Sequence, residues 1–144
     1  MTLSGFFLRF GLFYILLNGF AIFISRYALT IYPNIGTYLV VAMAVLFACR
    51  AFRKRNARTF TIPERRRAIL GMIGVDVAFQ MALGLLFILE AARADDPSAR
   101  GMWVLGLLIT LLTCLMHALV IWVTTRLYDR HAARQIARTA ATKA

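Results

Sequence analysis

Two side chains in this sequence set an ionisable group in a strongly apolar run: Asp76, within AILGMIGVDVAFQMALGLLFIL, and His117, within LLITLLTCLMHALVIWVTT. A hydrocarbon surround offers no water, so such a group must pair, lose its charge, face protein or line a wet cavity. Asp76 lies nine residues from Arg67 and His117 nine from Arg126, which is about 13 Å along a helix in each case. Equal depth on two helices of opposite direction lets them meet. Asn18, nine residues beyond Arg9, reaches a similar depth, Gln80 stands one turn beyond Asp76, and Thr113 one turn before His117. These five residues are expected to form one polar layer. Its chemistry is either proton or cation exchange at Asp76, or interhelical hydrogen bonds of about 1 kcal/mol each that fix helix register. The structural reading is preferred, because the layer holds a single carboxylate.

The elements that position this layer follow from composition. The 144 residues are 61% hydrophobic with a mean hydropathy of +0.73, outside the range of soluble domains. An all-α polytopic membrane protein is expected, one domain with four transmembrane helices in an up-down bundle. The spans fall at about 5–25, 34–50, 66–90 and 101–125. The first is completed by GFFL with Arg9 snorkelling outward, and the second opens after a turn containing Tyr32 and Pro33. The fourth is free of formal charge, with Trp103 and Trp122 near its ends as interfacial anchors. The N-terminal run is expected to be retained as a span: Arg9 interrupts it, and the Ser25, Arg26, Tyr27 region is a poor signal-cleavage site.

The net charge of +11 looks like a nucleic-acid footprint, yet the basic residues sit at the ends of apolar runs, where they mark one membrane face. The densest stretch, 50–67, carries Arg50, Arg53, Lys54, Arg55, Arg58, Arg65, Arg66 and Arg67 against one acid, Glu64. With Arg9 and a basic helical tail over 126–144, which includes Arg126, Arg130, Arg134 and Arg138, it outweighs Arg26, Arg93 and Arg100 on the other side. Both termini and the central loop are therefore expected in the cytoplasm. Fifteen Arg against two Lys is the usage of a GC-rich genome, which points to a bacterial inner membrane; a mitochondrial inner membrane is the alternative. The expected partners are membrane lipids, including anionic headgroups at the basic face, and a membrane protein or a second copy. Nucleic acid is not among them.

Within the basic stretch, Thr61, Pro63 and Glu64 fit a capping box: Thr61 as N-cap, Glu64 reaching back, and Pro63 in the first turn where its missing N–H is harmless. The third helix is thus expected to begin before the membrane. It also carries Gly74, Ala78 and Ala82 at four-residue intervals, a small-residue stripe that permits close approach of another helix. The connector EAARADDPSARG is near neutral, and Asp95 and Asp96 before Pro97 read as a solvated turn.

Catalytic patterns are missing: no Ser, His and Asp set outside the spans, no phosphate loop, no metal-spaced Cys or His, and no paired carboxylates for acid–base work. His117 and His131 lie 14 residues apart, about 21 Å along one helix, so they cannot share a haem. No cofactor or metal is expected. Cys49 near the basic face and Cys114 deep in a span are not expected to bridge.

The arrangement of four spans, a basic central loop and a third helix opened by Arg58, Thr59, Phe60, Thr61, Pro63 and Glu64 resembles a group of short bacterial inner-membrane proteins of uncharacterised function. The resemblance covers most of the chain and implies no activity. Small four-span multidrug exporters place an essential acid in the first span, where this chain has Asn18. The expected function is a non-catalytic accessory, assembly or structural subunit, with a small ion-coupled transporter built on Asp76 and His117 as the alternative.

Overall fold

The computed structural model describes residues 2–27, 33–93 and 99–141. Tyr32, Asp95 and Asp96 lie outside the described residues, as do the side chains of Arg26, Arg93, Arg100 and Trp103. The chain is all-helical, with α1 over Leu3–Tyr27, α2 over Pro33–Asn56, α3 over Ile62–Arg93 and α4 over Ala99–Ala141. Each is long and apolar enough to cross a membrane. With 32 and 43 residues, α3 and α4 are about 48 and 65 Å long, well beyond a hydrocarbon core of about 30 Å.

Local sequence explains where the helices start and stop. Thr2 caps α1 by accepting the Gly5 N–H at 3.3 Å, and Pro33 opens α2 at the position that needs no N–H donor. At the start of α3, the Thr61 N–H donates to Glu64 Oε2 at 3.0 Å and the Glu64 N–H donates to Thr61 Oγ1 at 3.4 Å. These are the reciprocal bonds of a capping box. Arg58 grips the same carboxylate with two guanidinium bonds of 2.7 and 2.8 Å, and that hydrogen bonding raises the Arg58 pKa further above its ordinary value.

The basic stretch differs from a single long loop. Helix α2 continues through Arg50–Asn56, leaving only residues 57–61 non-helical. The physical reason is Phe52, which extends the buried stripe of Val41, Val45 and Ala48 by one more turn. A helix leaving a membrane loses nothing by solvating its Arg side chains. The turn then closes at Ala57, whose φ of 53° is left-handed and its N–H bonds the Arg53 carbonyl at 2.9 Å. A residue with a Cβ in that conformation stores about 1 kcal/mol of strain.

Helix α1 packs beside α2 and α3, and α4 also packs beside α2 and α3; among the described residues, the pairs α1 with α4 and α2 with α3 stand diagonally, without close backbone approach. Side-chain pairs give the directions. Phe6 meets Phe52 and Phe13 meets Phe47, so α1 and α2 run oppositely, whereas Phe7 meets Gly71 and Gly11 meets Val75, so α1 and α3 run together. The N-terminal parts of α1 and α3 and the C-terminal parts of α2 and α4 consequently share one end, the basic one.

The core is concentrated at that end. Phe60, from the turn, stacks on Phe52 with ring centroids 4.0 Å apart and stands edge-on to Phe6 at 5.4 Å, closing the bundle with a three-ring plug. Phe10, Ala44, Ala48, Cys49, Ala68, Met72 and Ile121 continue the packing inward. At Gly71 the Phe7 ring lies so close that a Cβ would force it to shift.

Candidate functional site

Helices α1, α3 and α4 each contribute one side chain to a fully buried polar cluster. The Tyr14 hydroxyl donates to Asp76 Oδ1, and His117 Nδ1 lies 2.9 Å from the same oxygen. A carboxylate oxygen accepts, so the His117 hydrogen in this bond sits on Nδ1. Asp76 and Tyr14 have no exposed surface and His117 retains 1%. Aromatic rings seal the group. Phe10 stacks on Tyr14 at 5.7 Å, Phe79 stands edge-on to it at 5.2 Å, and Tyr38 of α2 stands edge-on to His117 at 5.5 Å.

Of the five residues expected in the layer, the structure thus joins two directly, Asp76 and His117. Asn18 donates to the Tyr14 carbonyl at 2.8 Å, and the Asn18 and Gln80 side chains both lie beside the Tyr14 hydroxyl, one shell out from the carboxylate. Thr113 is half-buried one turn before His117 on α4. Its hydroxyl donates to the Ile109 carbonyl of its own helix at 2.9 Å, the usual bond of a Thr with no better partner within a span. Tyr14 is the member that the residue types alone did not single out. Its one available signal is its position a helical turn before Asn18, on the same face and near the same depth.

The cluster is not saturated. Asp76 Oδ2 and His117 Nε2 are buried without a hydrogen-bond partner among the described residues, and each such atom costs about 1–3 kcal/mol. The same holds for both carboxylate oxygens of Asp129, which is 7% exposed in the basic tail. Arg65 Nη1 approaches Asp129 Oδ2 to 3.5 Å, an ion pair at a separation longer than a hydrogen bond.

Comparison of the chain with protein-family models, with curated proteins and with solved structures finds no match in any of the three.

Geometry also sorts the basic residues into those engaged within the bundle and those facing outward. Arg65 pairs with Asp129 and Arg53 donates to Gln135 at 2.9 Å, whereas Arg126 is exposed and lies over the ring of Trp122, on its own helix, at 5.0 Å. Arg50, Lys54, Arg55, Arg66, Arg67, Arg130 and Arg134 are exposed. Gly74, Ala78 and Ala82 are exposed as well, and a Cβ on Gly74 would meet nothing within 4 Å. The close helix approach inside the chain is made at Gly71 instead. Both cysteines are free. Among the described residues no three His, Cys, Asp or Glu side chains are grouped to hold a metal ion.

Chemically, the Tyr14, Asp76 and His117 cluster can hold a proton between an acid and an imidazole, and it ties three of the four helices at one depth. With its members sealed behind aromatic rings, it offers no surface for a substrate to reach.

Proposed function

We propose that the chain is a non-catalytic integral protein of a bacterial inner membrane that serves as an accessory, assembly or structural subunit of a membrane complex. In this reading the four helices form an up-down bundle with both termini and the 57–61 turn in the cytoplasm, because the basic residues collect at that end. The buried Tyr14, Asp76 and His117 cluster acts as a register clamp. The observation that carries the reading is the small-residue face of α3, which is exposed among the described residues. Gly74, Ala78 and Ala82 point away from the bundle, while the chain's own helix contact uses Gly71. A face that admits close backbone approach but receives no helix of its own fits a helix from another chain.

Purification from native membranes in mild detergent tests this. A membrane protein retained in fixed proportion, and lost on Ala78→Leu, is expected; a protein that always emerges alone contradicts the proposal.

A second reading, a small ion-coupled transporter, is favoured by one observation: Asp76 Oδ2 and His117 Nε2 lack partners among the described residues. Flux in reconstituted vesicles that vanishes with Asp76→Asn would support it. Complete burial of the cluster weighs against it, because a coupling site must open to each side in turn.

A further inference from the structure

We infer that the groove between α1 and α2 at the basic end binds the phosphate of an anionic phospholipid. A cavity of about 280 Å³ there is lined by Thr2, Gly5, Arg9 and Arg55. Two arginines from two different helices thus line one concave site. Among the described residues neither Arg9 nor Arg55 has a carboxylate partner, in contrast to Arg58 and Arg65, which suits both to the oxygens of a phosphodiester.

Position on the helix argues for a lipid over a free anion. Thr2, Gly5, Arg9, Leu12 and Leu16 follow one another at intervals of three and four, which places them on a single stripe of α1. The stripe is polar and concave at its basic end, and beyond Arg9 it turns apolar, with Leu12 56% and Leu16 60% exposed. A phosphate seated between Arg9 and Arg55 would lay its acyl chains along Leu12 and Leu16. A free phosphate would use the first half of the stripe and leave the second bare. Arg9 then has a task beyond reaching the headgroup layer from inside the first span. The inference needs the basic end to lie at a headgroup layer, whichever side of the membrane that is, and it is independent of the subunit role.

The test is native mass spectrometry of the purified full chain in mild detergent, titrated with dioleoyl phosphatidylglycerol, with dioleoyl phosphatidylcholine, or with inorganic phosphate alone. One tightly retained phosphatidylglycerol per chain is expected, weaker retention of phosphatidylcholine, and no displacement of the lipid by millimolar phosphate. Arg9→Gln with Arg55→Gln should weaken phosphatidylglycerol retention about 30-fold, the effect of two basic groups near an anionic headgroup. Arg130→Gln with Arg134→Gln, which removes the same charge from the same end, should change it less than about twofold if the site is local. A double Lys variant at positions 9 and 55 keeps the charge and guards against misfolding as the cause, and it should retain most of the lipid. Equal loss from the Arg130 and Arg134 pair, or no loss from the Arg9 and Arg55 pair, overturns the site. Displacement by inorganic phosphate overturns the lipid assignment.

Discussion

At the basic end of the bundle, Phe6, Phe52 and Phe60 pack ring against ring, and Phe10, Ala48, Cys49, Ala68 and Met72 are buried behind them. At the opposite end, Phe20 and Phe23 of α1, Leu85 and Leu86 of α3 and Leu107 and Leu108 of α4 are all more than half exposed. Both regions are rich in large apolar side chains, and they differ in how far those side chains are buried. In a membrane this contrast has a direct physical meaning, since lipid tails are as apolar as leucine and provide no hydrophobic drive toward a closed core. One end is held by its own packing, and the Tyr14, Asp76 and His117 cluster marks the depth at which that packing stops. The other end leaves its large apolar side chains exposed.

Core truncation should separate the two ends most widely. Phe52→Ala, which removes a ring from the terminal plug, is expected to destabilise the chain by about 3 kcal/mol, whereas Leu108→Ala should cost less than about 0.5 kcal/mol. Denaturation by a graded mixture of sodium dodecyl sulfate and mild detergent measures both, and similar costs would mean that the two ends are packed alike. A smaller contrast is expected along α3 itself. Gly71→Leu forces the Phe7 ring aside and should cost about 1–3 kcal/mol in the same assay. Gly74→Leu, one turn further and on the outward face, should leave the isolated chain's stability unchanged.

The central cluster gives a finer test. Tyr14→Phe removes the hydroxyl donor to Asp76 while keeping the ring, and a loss of about 1 kcal/mol is expected, in the range of interhelical hydrogen bonds in lipid. A loss of several kcal/mol would mean that the cluster, and not the aromatic plug, holds the packed end together. The smallest effect has the opposite sign. Ala57→Gly relieves the left-handed backbone at the α2 terminus and should stabilise the chain by about 0.5 kcal/mol, measured by the same denaturation.

The four helices were legible because an apolar run of span length bounded by arginines has few alternatives. The meeting of Asp76 with His117 was legible from depth alone, since equal distances from the basic flanks on neighbouring antiparallel helices leave little freedom. Other features depend on which helices are neighbours, and hydropathy carries no such information. Gly71 could not be distinguished from Gly74 without knowing that Phe7 of α1 lies against it. Tyr14 read as one more aromatic in an aromatic-rich span, because its hydroxyl becomes informative only when Asp76 faces it. Asp129 was hidden between Arg126 and Arg130, where a single acid in a basic stripe suggests a surface pair, although Arg65 of α3 draws it inward. The continuation of α2 through Arg53, Lys54 and Arg55 is masked in the sequence by its charge density, and only the four-residue spacing of the buried Ala48 and Phe52 signals it.

The proposed subunit role requires the exposed face of α3 to meet another membrane chain, while Ala68 at the basic end is buried within its own bundle. A photo-crosslinking amino acid placed at Ala78 or Ala82, and separately at Ala68 in the packed end, tests it in intact membranes. Adducts to a second membrane protein from positions 78 and 82, and only internal adducts from position 68, are the predicted result. Lipid adducts alone from positions 78 and 82 would contradict it.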